Sequence, residues 1–273
     1  MFGNFIENVR LISPLVHNIT NYVTVNDCAN ILLAAGASPI MADDIEEAAD
    51  ITSICSALNI NIGTLNQNTI PAMFAAGKKA NELFHPVILD PVGAGASALR
   101  TSTAKKLMEE IKFDVIRGNS SEIKTLAAIG GSTKGVDAAE TDVVSEETLT
   151  AAIAFVKAYA EQMGTIVAVT GAIDIVGDKD TAYVIRNGRP EMGKITGTGC
   201  MLTCLIAAFL SANPQEKLKA AAAAVCAMGL AGEIAYKRLT TADGNATYRS
   251  YIIDAIYNLD GETLDKGARY AIR

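Results

Sequence analysis

Gly197-Thr198-Gly199-Cys200 leads directly into an apolar run over residues 201–210. A Gly-X-Gly turn that opens a helix aims several backbone N–H groups at one spot, and the helix dipole adds positive potential there. The glycines let a ligand approach the backbone with no side chain between. Such a spot suits an anion, typically a phosphate, and Cys200 would stand beside it in the first helical turn. A reactive group next to an anion site points to phosphoryl transfer. The same residues would also serve as a glycine-rich loop before a core helix.

Other polar residues fall where apolar runs stop. Arg117-Gly118-Asn119-Ser120-Ser121-Glu122 follows Asp114-Val115-Ile116. An Arg in that place can pair with phosphate, and Glu122 can hold a magnesium ion through water. Asn119 or Ser120 with Glu122 also has the form of a helix capping box. Asp90 ends Val87-Ile88-Leu89, which puts a carboxylate at the rim of a buried strand or opens an Asp-Pro turn. Thr170-Gly171 can contact a nucleotide phosphate or turn the chain. His17-Asn18-Ile19-Thr20-Asn21-Tyr22-Val23 is dense in hydrogen-bonding side chains. It suits a small polar ligand, or a satisfied turn ahead of a helix over 26–35. His85 reads as a loop residue and Cys204 as a small core residue. Gly93-Ala94-Gly95-Ala96-Ser97-Ala98 matches the dinucleotide fingerprint, but no acidic residue ends the next strand, which argues against NAD. Nothing matches the Gly-X-X-X-X-Gly-Lys-Ser/Thr phosphate loop, so that role falls to residues 197–200.

The elements that must position these residues alternate. Strands are expected at 37–42, 58–63, 87–89, 114–117 and 165–170. Helices are expected at 44–57, 68–84, 97–111, 120–129 and 147–163. Continuous apolar strands separated by helices make a parallel sheet covered on both faces. After Gly171 the pattern changes: 173–176 and 181–186 flank Gly177-Asp178-Lys179-Asp180, a hairpin signal. From Gly197 onward the chain reads as helical, at 198–210, 215–238 and 245–258. No linker or repeat divides residues 1–273, so one domain is expected. Ligands of such sheets bind beyond the carboxyl ends of the strands. Met41-Ala42-Asp43, Gly63-Thr64, Asp90-Pro91, Arg117-Gly118-Asn119 and Thr170-Gly171 should therefore converge on one crevice.

Composition narrows the setting. Half of the 273 residues are hydrophobic and 19% are charged, which leaves ample material for a core. A net charge of -7 without a Lys/Arg cluster argues against nucleic acid or an anionic membrane as partner. Five scattered cysteines, no CxxC pair and two histidines fit neither a zinc site nor a disulfide framework; a reducing cytoplasm is expected. The N-terminus lacks the basic start and apolar core of a signal peptide. The apolar segments 201–212 and 220–231 fall short of the roughly 18 to 20 residues of a membrane span.

Taken in order, His17-Asn18-Ile19-Thr20-Asn21, Leu89-Asp90-Pro91-Val92-Gly93-Ala94, Arg117-Gly118-Asn119-Ser120-Ser121-Glu122, Val169-Thr170-Gly171 and Gly197-Thr198-Gly199-Cys200 closely resemble the hydroxyethylthiazole kinases, from about Leu11 to the last helix. The resemblance implies an α/β, ribokinase-like fold: a central, mostly parallel sheet flanked by helices on both faces. It also implies phosphorylation of the primary alcohol of 4-methyl-5-(2-hydroxyethyl)thiazole by ATP with Mg2+, a step of thiamine salvage. Carried over by position, Met41, Gly197, Asn18 and Asn21 would contact the alcohol, and Arg117, Thr170 and Gly171 would bind ATP. Asp90 and Glu122 would position magnesium and its waters, and Gly197, Thr198, Gly199 and Cys200 would stabilise the transferring phosphoryl group. The family is typically a homotrimer with sites between subunits, which would let Gly63-Thr64-Leu65-Asn66 reach a neighbour's pocket. Most ribokinase-like enzymes place an Asp base where this chain has Cys200, as many thiazole kinases do. A nucleotide-dependent dehydratase that repairs hydrated nicotinamide cofactors is the alternative on the same fold, and that family usually retains the Asp. A nucleotide-binding regulator without turnover is the third reading.

Overall fold

A computed structural model describes residues 1–129 and 144–273. Its centre is a nine-stranded sheet in the order β2-β1-β3-β4-β5-β6-β7-β8-β9. The first six strands are β1 (Leu15–Ile19), β2 (Ser38–Met41), β3 (Ala57–Asn61), β4 (Val87–Asp90), β5 (Val115–Asn119) and β6 (Ile166–Thr170). All pair in parallel. β7 (Asp174–Gly177), β8 (Ala182–Ile185) and β9 (Tyr270–Ile272) extend the sheet antiparallel. The expected parallel sheet and hairpin are both present. The chain after Gly197 is not all helical, because β9 returns to pair with β8.

Both faces are covered, so the strands must be apolar on both sides. Val115, Ile166 and Ala168 point into one core, and Ile116, Val167 and Val169 into the other. The first core is closed by α1 (Gly3–Ile12), α2 (Val25–Ala35), α8 (Thr198–Ala212), α9 (Lys217–Arg238), α10 (Asn245–Tyr257) and α11 (Gly261–Gly267). The second is closed by α3 (Ala48–Ile54), α4 (Thr69–Glu82), α5 (Ala98–Glu110), α6 (Ser120–Ile129) and α7 (Leu149–Met163). α8 is mostly apolar, and twelve of its fifteen residues are buried, as a helix enclosed by the core must be. It lies against β1, β3 and β4.

α9 departs from the expectation drawn for residues 220–231. The helical stretch Pro214–Arg238 is 25 residues long with a mean hydropathy of 1.5, enough to cross a membrane by length and composition. Most of it, 78% of the apolar window, is buried inside the protein, so its apolar character belongs to the core.

Residues 17–19 also depart from expectation. They form β1, not a ligand-facing turn. His17 is fully buried: its Nδ1 lies 2.9 Å from Thr52 Oγ1 and its Nε2 2.8 Å from the Ala42 carbonyl. Burial holds the imidazole below its ordinary pKa, and the Ala42 contact only partly offsets that. The ring is a neutral brace between α3 and the turn after β2. The helix expected at 44–57 is shorter, because Asp44 Oδ1 accepts the Glu46 N–H in a turn before α3 begins.

Candidate active site

The carboxyl ends of β1 to β6 point to one edge, and the start of α8 sits there with them. Its first helical bond runs from the Met201 N–H to the Gly197 carbonyl at 2.9 Å. The amides of Thr198, Gly199 and Cys200 precede that bond, and so face out of the helix end. The two glycines are required for different reasons. Gly197 has φ +95°, and a Cβ there would come within 2.6 Å of Thr24. At Gly199 a Cβ would come within 2.4 Å of the Arg117 guanidinium, so glycine is what lets that cation rest on the helix start.

Arg117 belongs to β5 and its side chain is only 12% exposed. Its Nη2 donates to Thr170 Oγ1 at 2.5 Å, and its Nη1 lies 3.5 Å from Asp90 Oδ1. Asp90, the last residue of β4, has no exposed surface. Its Oδ2 accepts from Asn61 Nδ2 at 2.8 Å and from Thr203 Oγ1 at 2.9 Å, while Oδ1 has no hydrogen-bond partner. Burial pushes its pKa up to about 6; Arg117, Thr203 and Asn61 work against that rise, and nearby Glu122 adds to it.

Glu122 completes the capping box. One carboxylate oxygen accepts the Asn119 N–H and the other the Gly93 N–H, each at 2.8 Å, and Asn119 Oδ1 accepts the Glu122 N–H in return. Its oxygens therefore face the same turn as Asp90 with one lone pair each already engaged. Among the described residues no group of three His, Cys, Asp or Glu side chains forms a metal cage. Magnesium is commonly held by one or two carboxylates together with substrate phosphates. The unpartnered Oδ1 of Asp90 fits such an ion.

Behind Arg117 a cavity of about 560 Å³ opens between the β6–β7 turn, the 3-10 turn Pro190–Lys194, the start of α8 and α9. Thr170, Gly171, Thr198 and Gly199 line its charged end; Leu202, Val225 and Met228 form an apolar wall. Such a lining matches a phosphorylated ligand with a flat, weakly polar body. Asp174 also lines it, a residue that the sequence pattern did not single out. It accepts the Gly171 N–H at 2.8 Å and so holds the Thr170-Gly171 turn. Burial raises its pKa to about 7, with the Gly171 N–H and Arg117 opposing the rise.

Cys200 lies beneath the helix start and is buried. Burial and the charge of Asp90 push its thiol up from the ordinary value, with hydrogen bonds from Thr24 and Asn21 opposing them. Of the other residues expected at the site, Met41 ends β2, half-buried and in register with Asn18 of β1. Asn18 is buried; its Nδ2 donates to the Val16 carbonyl at 2.9 Å and its Oδ1 accepts from Asn59. Asn21 is likewise engaged within the protein, touching Cys200. Asn61 and Thr203 complete the floor. A polar residue ending a buried strand was the available signal for Asn61, whereas nothing marked Thr203 inside its apolar run.

A mostly parallel sheet with helices on both faces, and an anion-facing helix start at its strand ends, define a ribokinase-like enzyme. Residues 6–262 match the model of the hydroxyethylthiazole kinase family. A hydroxyethylthiazole kinase of Clostridium acetobutylicum is 63% identical over 270 residues, covering 99% of both chains. The solved structure of the hydroxyethylthiazole kinase protein from Pyrococcus horikoshii OT3 superposes with a TM-score of 0.88 at 35% identity, covering 100% of this chain and 98% of that one. Pyridoxal kinase from Staphylococcus aureus, in complex with AMP-PCP and pyridoxal, has a TM-score of 0.60 at 14% identity over 95% of this chain and 97% of its own, which shows the common fold. The chain belongs to the hydroxyethylthiazole kinase family.

Asp90 makes stability depend on pH in a stated direction. Its folded pKa of about 6 exceeds the ordinary 3.8, so between those values the native state keeps a proton that the unfolded chain releases. This group's contribution therefore falls as pH rises through that window. The difference in unfolding free energy between Asp90→Asn and the parent should shift toward the variant from pH 4 to pH 6.5, by on the order of 1–3 kcal/mol. Denaturant titrations of both proteins across that range check it. A constant offset would contradict the raised pKa.

Proposed function

We propose that the protein, as a single catalytic domain, transfers the γ-phosphoryl group of ATP to the primary alcohol of 4-methyl-5-(2-hydroxyethyl)thiazole in thiamine salvage. The observation that carries the reading is the meeting of Arg117 and the start of α8 at the end of one cavity, with buried Asp90 beside Arg117. Phosphoryl transfer asks little covalent chemistry of a protein and depends on alignment and neutralised charge. The family model and the curated relatives favour this reaction over the cofactor-repairing dehydratase.

In this reading the nucleotide base lies on the Leu202, Val225 and Met228 wall. Arg117 and Thr170 hold the phosphates at the Gly171 turn, and the α8 amides face the transferring group. Asp90, and Glu122 through water, would hold Mg2+, which neutralises phosphate charge when bound. Met41 and Gly197 border the alcohol end, whereas Asn18 and Asn21 lie in the floor beneath it. Cys200 faces the reacting hydroxyl as its proton acceptor. The five cysteines are all free thiols, consistent with a reducing cytoplasm.

A homotrimer is part of the proposal. Tyr22 is 77% and Val23 58% exposed, and the Tyr22 N–H donates to Thr64 Oγ1. That apolar pair lies against the Gly63–Asn66 turn that would reach a neighbour's pocket. Light scattering should return about three chains of 28.6 kDa each. A mass of one chain at micromolar concentration would remove the shared-site role of Asn66.

Incubating the protein with magnesium-ATP and the thiazole alcohol should release ADP only when the alcohol is present. Alcohol-independent hydrolysis, or nucleotide binding without turnover, would contradict the assignment. The raised thiol pKa makes thiolate a minor form at neutral pH, whereas a carboxylate starts from a far lower ordinary value, about 3.9, and so keeps a larger ionised fraction there even when burial raises it. Cys200→Asp should therefore raise turnover, on the order of tenfold or more. Cys200→Ala should lower turnover without abolishing it, because alignment and the anion site persist. Turnover at saturating substrates measures both. An Asp variant slower than the parent, with normal binding of both substrates, would show that residue 200 does not limit the step as a base.

A further inference from the structure

The sulfur of Cys200 lies 3.2 Å from Asn21 Nδ2 and 3.3 Å from Asn61 Nδ2. These contacts are donor–acceptor pairs only if the amide nitrogens, not the oxygens, face the sulfur. The surrounding backbone decides the matter. Asn61 Oδ1 accepts the Gly63 N–H at 2.9 Å, and Asn21 Oδ1 accepts the Thr24 N–H at 3.1 Å. A backbone N–H can only donate, so neither amide can be flipped.

All four amide hydrogens then have a destination. Asn21 gives one to Asn61 Oδ1 at 3.1 Å and one to Cys200. Asn61 gives one to Asp90 Oδ2 at 2.8 Å and one to Cys200. Asn21 is 4% exposed and Asn61 1%, so bulk water does not compete for these bonds. The chain is shaped around the pair: at Gly63 a Cβ would stand 3.0 Å from Asn61 Oδ1 and 3.1 Å from Asn21 Cβ.

We infer that Asn21 and Asn61 are positioning residues for phosphoryl transfer, which fix residue 200 as a hydrogen-bond acceptor and stabilise negative charge on it. The inference rests on the kinase reading above. In the step, the alcohol O–H bond breaks and its proton bonds to the thiolate of Cys200 through a sulfur electron pair. The alcohol oxygen bonds to the γ-phosphorus, and ADP leaves with the electron pair of the broken P–O bond. Hydrogen bonds to an ionised acceptor are stronger than those to a neutral one, so two N–H donors favour the thiolate against its burial. A carboxylate at position 200 would meet the same two donors.

A triple set of backgrounds separates this role from a structural one. Asn21→Leu and Asn61→Leu are placed in the parent, in Cys200→Asp and in Cys200→Ala. The readouts are kcat, the KM for ATP, and a thermal melt. In the parent and the Asp background kcat should fall roughly tenfold to hundredfold, with little change in the KM for ATP. In the Ala background, where no acceptor remains, the penalty should shrink by on the order of fivefold or more. A penalty of equal size in all three backgrounds would make the pair a structural brace and overturn the inference. Asn61 also serves Asp90, so Asn21→Leu decides the result, with Asn21→Ser as the gentler variant if the Leu protein does not fold. A parent that forms no ADP from ATP and the alcohol would defeat the kinase reading instead, a different outcome from a background-independent penalty.

Discussion

At the end of β4 a carboxylate with no exposed surface faces a guanidinium that rests on the first turn of a buried helix. The other arrangements at the site depend on this contact. Asp90 keeps a cation beside it because burying a lone carboxylate is costly. Residue 199 has no Cβ, and one built there would stand 2.4 Å from the Arg117 guanidinium. The register of β4 against β5, the starting point of α8 and the position of the Thr170 turn all meet at this pair.

The same region departs from the composition of its sheet. Strands covered on both faces are normally near-continuous apolar runs. Here β1 and β3 carry His17, Asn18, Asn59 and Asn61, all buried. His17 faces α3, whereas α8 meets the asparagines with small, weakly polar side chains: Cys200 above Asn61, Cys204 at 3.2 Å from Asn59 Nδ2, and Thr203 on Asp90. A seam of hydrogen bonds thus crosses the middle of an otherwise apolar core. Buried polar networks are favourable only when nearly every member is satisfied. Three of the exceptions lie in or beside this seam, namely Asn59 Oδ1, Asp90 Oδ1 and Arg117 Nε. Of these, only Arg117 lines the cavity; Asn59 lies within the core, and Asp90 Oδ1 faces Arg117 Nη1 at 3.5 Å.

Much of this was legible in the residues. The convergence of strand ends followed from apolar runs that stop at Asp90, Arg117 and Thr170, and the start of α8 from Gly197-Thr198-Gly199. The motifs in sequence pointed to the family and the fold, and both hold. β1 escaped notice because His17 and Asn18 interrupt its apolar Leu15, Val16 and Ile19, which leaves neither an alternation nor a continuous apolar run to read. β9 pairs across 85 or more residues with β8, beyond the reach of any local pattern. Glu122 had two readings in the sequence, and its capping box is present in the structure. Asn61 and Thr203 could not be assigned without knowing which helix covers β3 and β4, because their partners lie far along the chain.

In the proposed function the transferring phosphoryl group is held at the start of α8, between its open amides and Arg117. A crystal structure with a non-hydrolysable ATP analogue, magnesium and the thiazole alcohol would test this. The γ-phosphate oxygens should lie within hydrogen-bond distance of the Thr198, Gly199 or Cys200 amides and of Arg117, with the alcohol oxygen facing Cys200. Phosphates lying away from that helix start, with Arg117 still turned only to Asp90 and Thr170, would contradict it.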